Sequence, residues 1–182
     1  MCNSFNKKFL DEAAKAQANE SNKISNSSDI DFMTEAVKIA IKGLEANEGG
    51  PFGCVIVKNG KVIGRGNNRV TSTNDPTAHA EIMAIREACA NLNTFQLEGC
   101  IVYASSEPCP MCLGAIYWAR PDKVYYGSNH TDAAKIGFDD SFIYKEIALP
   151  NDKRNIPFEQ CGRETALEAF RKWEEKDDKI SY

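Results

Sequence analysis

Two short segments constrain this chain more than any other feature, because together they can provide the ligands of one metal ion. The first is HAE at residues 79–81, and the second is PCPMC at residues 108–112, with 29 residues between His79 and Cys109. Each segment is expected to open a helix, since a proline lies shortly before it and proline is tolerated only at the start of a helix. The fold must therefore bring two helix starts together.

Cys109 and Cys112 lie three residues apart, so on a helix both thiolates face the same side. With His79 they make three ligands for one Zn²⁺ ion per chain, and three protein ligands leave one position of a tetrahedral zinc open for water. An open position is typical of catalytic zinc. Glu81 can share this site only within the first helical turn, because residues two apart deeper in a helix point to different sides. From there its carboxylate would carry protons.

Each of these segments, taken alone, has other interpretations. A lone C-x-x-C occurs in redox pairs and in structural zinc sites, but a disulfide would leave His79 and Glu81 without a role. In this order the two segments match the H-x-E…P-C-x-x-C signature of zinc-dependent deaminases. A zinc module without catalytic activity remains an alternative, and Glu81 is the residue that such a module does not need.

The composition excludes several classes of partner. The chain has 182 residues, enough for one domain, and 26 acidic against 22 basic residues give a net charge of −4. This acidic balance disfavours nucleic acid as a substrate. No apolar run is long enough for a membrane span or a signal peptide, so we expect a cytoplasmic protein without a membrane partner. The seven cysteines are expected to be reduced thiols in that compartment.

Hydrophobic spacing predicts a layered α/β domain over residues 31–182, preceded by a flexible polar tail at residues 1–30. A helix from Phe32 ends at the Gly49-Gly50-Pro51 break, and Asn59-Gly60 predicts a two-residue hairpin turn between two strands. The two metal-site segments then open helices that alternate with the strands CIVYAS and KVYYG. A further charged helix is predicted from about Arg163 to Lys176.

Four segments make the chain similar to a known family. GGPFGCVIVKNGKVI, NDPTAHAEIMAIREAC, SSEPCPMCLGAIYWAR and HTDAAKIGFDDSFIYKEI resemble the cytidine deaminase-like superfamily and, within it, the small bacterial guanine deaminases. The resemblance implies a three-layer α/β/α fold with a central mixed sheet of about five strands. It also implies hydrolysis of guanine, a purine base, to xanthine and ammonia. Finally, it implies a homodimer in which the C-terminal segment, about residues 140–182, acts as a lid or swaps between subunits.

The resemblance also assigns contacts with the substrate. Asn68 would hydrogen-bond the purine, Asp140 would contact its polar edge or assist proton transfer, and Tyr182 would lie in the lid. Phe52 and Trp118 would pack on the base. Ala80, which lies between His79 and Glu81 in the chain, would line the site. Each has a purely structural alternative: the aromatic residues suit a core, Asn68 suits a turn, and Asp140 an exposed loop. His130 is interpreted as structural.

The zinc segments do not by themselves specify the substrate. Guanosine, cytosine or another base would use the same zinc centre, and these stay open as alternatives to guanine. Adenosine in transfer RNA is disfavoured, because the chain is acidic and has no evident basic stripe.

Overall fold

The computed structural model describes residues 28–181 of the chain. The first 27 residues of the predicted tail lie outside this range, and so does Tyr182.

The predicted helices and strands occur in the predicted order, and the structure adds three short helices that were not predicted. Helix α1 covers residues 28–45, and the hairpin strands β1 (Gly53–Lys58) and β2 (Lys61–Asn67) follow it. The centre of the chain contains α2 (Val70–Thr73), α3 (Ala80–Leu92), β3 (Cys100–Ser106), α4 (Pro110–Ala119) and β4 (Lys123–Ser128). The last part contains α5 (His130–Lys135), α6 (Ser141–Ala148), a 3₁₀ turn (Asn151–Lys153) and α7 (Arg163–Glu175).

The sheet is mixed and has the strand order β2-β1-β3-β4. Strand β1 pairs antiparallel with β2 and with β3, whereas β3 pairs parallel with β4. A parallel pair needs a crossover connection, which α4 supplies. At the hairpin turn Asn59 and Gly60 both take positive φ angles, 50° and 72°, as predicted for this dipeptide.

The expected count of about five strands is wrong, because the described residues contain four. The count came from the family resemblance, whereas the hydrophobic pattern of the chain itself supports only four strands. After β4 the chain turns into α5, and a capping box stabilises this helix start. The Asn129 side chain accepts from the backbone N–H of Asp132, and the Asp132 carboxylate accepts from the backbone N–H of Asn129. Residues 129–181 add helices and loops to the fold but no strand.

Helices cover both faces of the sheet. Successive residues of β1 face opposite sides, as in any strand. Cys54 and Ile56 therefore pack against α3 and α4, whereas Val55 and Val57 pack with Ala36 of α1 on the other side. Each buried Val or Ile side chain stabilises the fold by roughly 1.5–3 kcal/mol through loss of apolar surface to water. The three-layer α/β/α arrangement is confirmed.

Two glycines of β2 determine how closely α3 approaches the sheet. A Cβ atom at Gly66 would collide with the backbone oxygen of Ala80, and one at Gly64 would collide with that of Ala84. Because neither glycine has a side chain, α3 lies directly on β2. The start of α3 is thereby held beside Asn68, which follows the end of β2.

The described part of the C-terminal segment, which was predicted at about residues 140–182, packs little on the rest of the chain. None of its described residues is buried, although α7 forms where a charged helix was predicted. In the described part of the chain, no helix has the length and apolar character needed to cross a membrane.

Candidate active site

The two metal-site segments open helices at neighbouring positions, as their prolines predicted. His79 is the N-cap residue of α3 and Cys109 is the N-cap residue of α4, both with extended backbone angles. Cys112 lies in the first turn of α4 and is fully buried. Unpaired N–H groups give a helix N-terminus partial positive charge, which favours thiolates at these positions.

The distances between the three side chains fit a zinc ion. The Nδ1 atom of His79 lies 3.5 Å from Sγ of Cys109 and 3.6 Å from Sγ of Cys112, and the three ligand atoms lie within 4.8 Å of one another. A tetrahedral zinc with ordinary Zn–N and Zn–S bond lengths separates an imidazole nitrogen from a thiolate sulfur by about 3.6 Å. One borderline-soft nitrogen and two soft sulfur donors also suit this metal.

The two thiols are electrostatically coupled. The pKa of Cys109 is held far below that of an ordinary thiol, mainly by its side-chain interaction with Cys112 and also by its contact with His79. The pKa of Cys112 is raised by the same interaction with Cys109 and by burial. Without metal, Cys109 is therefore the thiolate and Cys112 keeps its proton. Because zinc binds both sulfurs as thiolates, metal binding must release that proton.

Glu81 lies beside this cluster without belonging to it. The residue is 8% exposed, and its Oε2 atom accepts a hydrogen bond from Sγ of Cys112 at 3.4 Å. Burial raises the pKa of Glu81 above that of an ordinary carboxyl group. His79 and Glu81 face the same site although they are two residues apart, because His79 precedes the first helical turn. The site therefore contains a carboxylate that lies beside the three metal ligands and is not one of them.

A cavity of about 490 Å³ opens in front of these groups, a volume within the usual range for small-molecule sites. Its wall contains six residues singled out in the sequence: Phe52, Asn68, His79, Glu81, Cys109 and Asp140. The Phe52 ring meets that of Phe138 edge to face, with the ring centroids 4.9 Å apart. Two aromatic side chains thus form an apolar wall of the cavity.

Asn68 is oriented by its backbone surroundings. Its side-chain oxygen accepts hydrogen bonds from the backbone N–H groups of Gly50 and Val70, both at 3.2 Å. Because the oxygen is engaged twice, the amide nitrogen is left for the cavity that Asn68 lines. This side chain therefore offers a hydrogen-bond donor to a ligand.

Two of the predicted contact residues do not line this cavity, and a third lies outside the described residues. Trp118 lies on α4 and is 64% exposed, outside the cavity of its own chain. It follows Cys112 by six residues, about 1.7 helical turns, so it points away from the metal side of the helix. Ala80 is buried in the core cluster and does not line the cavity. Tyr182 lies outside the described residues.

Sequence reasoning missed two polar residues of the cavity wall. His130, interpreted as structural, lines the cavity together with Glu107. Its Nδ1 atom lies 3.3 Å from Oδ1 of Asp140, and its Nε2 atom lies 3.3 Å from Oε1 of Glu107. The position of Glu107, two residues before Cys109 and directly after β3, was a signal that could have identified it. No spacing in the sequence indicated that His130 lines this cavity. His130 begins α5, which is far along the chain from α3 and the site residues at its start.

This combination of fold and site agrees with comparison against protein families. The model of the cytidine and deoxycytidylate deaminase zinc-binding region matches residues 26–128, more than half of the chain. The chain belongs to this zinc-dependent deaminase family, and it binds one Zn²⁺ ion.

Individual proteins of similar sequence and structure indicate which kind of deaminase this chain resembles. Guanine deaminase of Bacillus subtilis is 56% identical over 151 residues, which cover 83% of this chain and 97% of the relative. Its crystal structure superposes with a TM-score of 0.81 over 83% of this chain and 96% of that one. A guanine deaminase structure from Nitrosomonas europaea shows 32% identity and a TM-score of 0.57, over 60% of this chain and 63% of that one. A tRNA-specific adenosine deaminase of Aquifex aeolicus is 44% identical, over 53% of this chain and 64% of the relative.

Proposed function

We propose that this protein is a zinc-dependent aminohydrolase that converts guanine and water to xanthine and ammonia. The observation that carries the proposal is the 56% identity to a guanine deaminase along 97% of that relative's length. This match covers 83% of the chain, whereas the tRNA-specific relative matches only 53% of it. The acidic charge of the chain also disfavours a phosphate-rich substrate.

The proposed mechanism assigns the zinc ligands to His79, Cys109 and Cys112. The bound ion supplies Lewis acidity, which lowers the pKa of water and stabilises negative charge on an attacking oxygen. Glu81 acts as the proton carrier. Its carboxylate moves one proton of the water that attacks C2 of guanine to a ring nitrogen. It then moves the second proton, from the new hydroxyl on C2, to the departing amine, which leaves as ammonia. The buried setting of Glu81 supports this role, because a carboxyl group with a raised pKa accepts and returns protons more readily near neutral pH.

Two polar residues of the cavity are assigned to recognition of the base. Asn68 presents its amide N–H to an acceptor of guanine, its O6 or a ring nitrogen without hydrogen. Asp140 presents a carboxylate to the donors of guanine, the N1–H and the 2-amino group. This pairing disfavours adenine, because adenine carries a lone pair on N1 that a carboxylate would repel. Phe52 and Phe138 provide the apolar surface on which the flat ring packs.

We also propose a homodimer in which the C-terminal segment of one subunit covers the cavity of the other, with Tyr182 in the lid. Large apolar side chains are exposed along this segment, a surface that monomeric proteins rarely carry. Five examples are Phe142, Ile147, Phe158, Phe170 and Trp173. Packing against a second chain would bury this surface and exclude water from the reaction.

The proposed compartment is the cytoplasm. Zinc coordination requires Cys109 and Cys112 as reduced thiols, which a reducing compartment maintains. The six cysteines among the described residues are all free, which agrees with this compartment.

A direct test incubates the purified zinc-loaded protein with guanine, guanosine, cytosine, cytidine and adenine. Ammonia release and the ultraviolet change of each base are measured together. Rapid turnover of guanine with little turnover of the others is expected. Turnover of guanosine or cytosine instead would keep the zinc mechanism and contradict the assignment of guanine as the substrate.

A further inference from the structure

His130 occupies a fixed position at the wall of the cavity. It is the first residue of α5, and the capping box between Asn129 and Asp132 fixes the backbone at this helix start. The His130 side chain is about one-third exposed, and it lies between two carboxylates of the same cavity. Its ring also meets the ring of Tyr144 edge to face, with the centroids 5.3 Å apart. The imidazole therefore has little freedom to turn.

One of the two carboxylates, that of Glu107, holds the histidine in place. Glu107 Oε2 accepts the backbone N–H of His130 at 3.2 Å, and Oε1 faces the Nε2 atom of the ring at 3.3 Å. The two oxygens thus contact the backbone and the side chain of the same residue. Glu107 follows β3 directly, so its own backbone is anchored by the sheet. These two contacts with Glu107 orient the ring so that its other nitrogen, Nδ1, faces Asp140.

The other carboxylate, that of Asp140, depends on His130 for its orientation. Asp140 is the N-cap residue of α6, yet its side chain makes no capping hydrogen bond. The neighbouring Asp139 accepts the backbone N–H of Ser141 at 2.9 Å instead. The Asp140 side chain is 18% exposed, and among the described residues its carboxylate partner is Nδ1 of His130, at 3.3 Å. That contact uses Oδ1 and leaves Oδ2 for a ligand in the cavity.

We infer that His130 is a positioning residue that holds the Asp140 carboxylate against the N1–H and amino edge of the base. The inference rests on the proposed function, since it needs guanine as the substrate. His130 does not touch the base in this account and acts through Asp140. Without the imidazole, Asp140 can rotate away from the base, and a displacement of about 1 Å at a reacting centre can cost roughly 100-fold in rate.

A double-mutant cycle tests this dependence. His130→Ala is expected to lower kcat/KM for guanine by about 10- to 100-fold. In an Asp140→Ala background the same change should lower it by less than about threefold, because residues that act through one contact are not additive. Full additivity of the two losses would overturn the inference, and so would an unchanged kcat/KM in His130→Ala. Thr131→Ala, an exposed residue of the same helix, is the control.

Conservative variants separate positioning from a merely structural role. The asparagine amide of His130→Asn can take the place of Nδ1 and donate to Asp140, whereas the longer amide of His130→Gln reaches toward Glu107 as Nε2 does. Rescue of kcat/KM by Asn but not by Gln is expected, with zinc at one per chain and the melting temperature of both variants close to wild type. Better rescue by Gln, or loss of zinc in His130→Ala, would overturn the inference, since His130 would then act through Glu107 and the neighbouring zinc ligand Cys109.

The wild-type protein in the same assay tests the proposed function separately. If wild type releases ammonia from guanine but the cycle is additive, only the role of His130 is contradicted. If wild type releases none, the proposed function fails, and the role of His130 fails with it.

Discussion

The side-chain oxygen of Asn68 accepts a hydrogen bond from the backbone N–H of Gly50, at 3.2 Å. The same oxygen accepts from the backbone of Val70, so the loop before β1 and the turn after β2 together orient one amide group. Because the oxygen is engaged twice, Asn68 offers a base its amide N–H, a hydrogen-bond donor, and not its oxygen. The side chain cannot turn its oxygen toward the cavity without giving up both backbone hydrogen bonds.

Replacement of Asn68 by Asp is therefore expected to remove a donor while it keeps both backbone contacts. The second carboxylate oxygen would face an acceptor of guanine, and kcat/KM should fall by about 100-fold, as for loss of a hydrogen bond combined with a buried charge. Zinc content and melting temperature should change little. Asn59→Asp is the matched control, because Asp-Gly keeps the hairpin turn at a site away from the cavity. Steady-state kinetics with guanine measure both variants, and equal activity of Asn68→Asp and wild type would contradict the donor role.

A second prediction concerns Gly49. A Cβ atom there would collide with the side-chain oxygen and the backbone carbonyl of Asn68. Gly49→Ala should therefore displace Asn68 and lower kcat/KM by about tenfold or more, although Gly49 itself touches no catalytic group. Gly114→Ala is the control, because a Cβ atom there meets nothing within 4 Å and alanine favours the helix by about 1 kcal/mol. Retention of full activity in Gly49→Ala would show that the position of Asn68 is not critical.

The thiol chemistry of the metal site can be tested on zinc-free protein. The pKa of Cys109 is lowered, so its thiolate persists as the pH falls through the range in which an ordinary thiol takes up its proton. The pKa of Cys112 is raised, so this residue remains a thiol over the same range. Iodoacetamide at about pH 6.5 should label Cys109 well before Cys112, as read by peptide mass spectrometry.

Two controls accompany the labelling experiment. Zinc added beforehand should protect both cysteines, because coordination occupies both sulfurs. Unfolding in denaturant should remove the difference between them, since it separates the coupled groups. Preferential labelling of Cys112 in the folded zinc-free protein would contradict the electrostatic account of the pair.

The proposed swap of the C-terminal segment predicts complementation between two inactive variants. Glu81→Gln removes the proton carrier from the cavity, and Tyr182→Ala removes the tyrosine side chain from the proposed lid. In a mixed dimer, the intact segment of the Glu81→Gln subunit would close the intact cavity of the other. Co-expression should therefore restore activity that neither variant has alone, and light scattering should give twice the chain mass of 20.2 kDa. A monomer, or a dimer without complementation, would contradict the swap.

Much of the fold could be predicted from local patterns. The alternating core residues of β1, the Asn59-Gly60 turn and the prolines before both metal-site segments act within a few residues of themselves, and the structure confirms each of them. The proximity of His79 to Cys109 could also be predicted, because one zinc ion needs ligands from both segments. The chemistry of the ion supplied a long-range restraint that hydrophobic spacing lacks.

The remaining features of the fold and the site could not be predicted, because they depend on packing between segments that are distant in the sequence. Trp118 is an apolar residue near the metal helix, and only its angular position on α4 shows that it faces away from the cavity. The contact between His130 and Asp140 requires the starts of α5 and α6 to lie next to each other, which no spacing in the sequence expresses. The prediction of a fifth strand was wrong for a related reason. It came from the family resemblance and not from a hydrophobic pattern in this chain.

The most direct test of the central claim compares wild-type protein with Glu81→Gln in conversion of guanine to xanthine, with zinc measured in both. Glutamine has nearly the shape of glutamate but cannot carry a proton. The proposed mechanism predicts one zinc per chain in each protein, equal amounts of xanthine and ammonia from wild type, and a rate about 10²- to 10⁴-fold lower for the variant. Near-normal turnover by Glu81→Gln, or no turnover of guanine by zinc-loaded wild type, would contradict it.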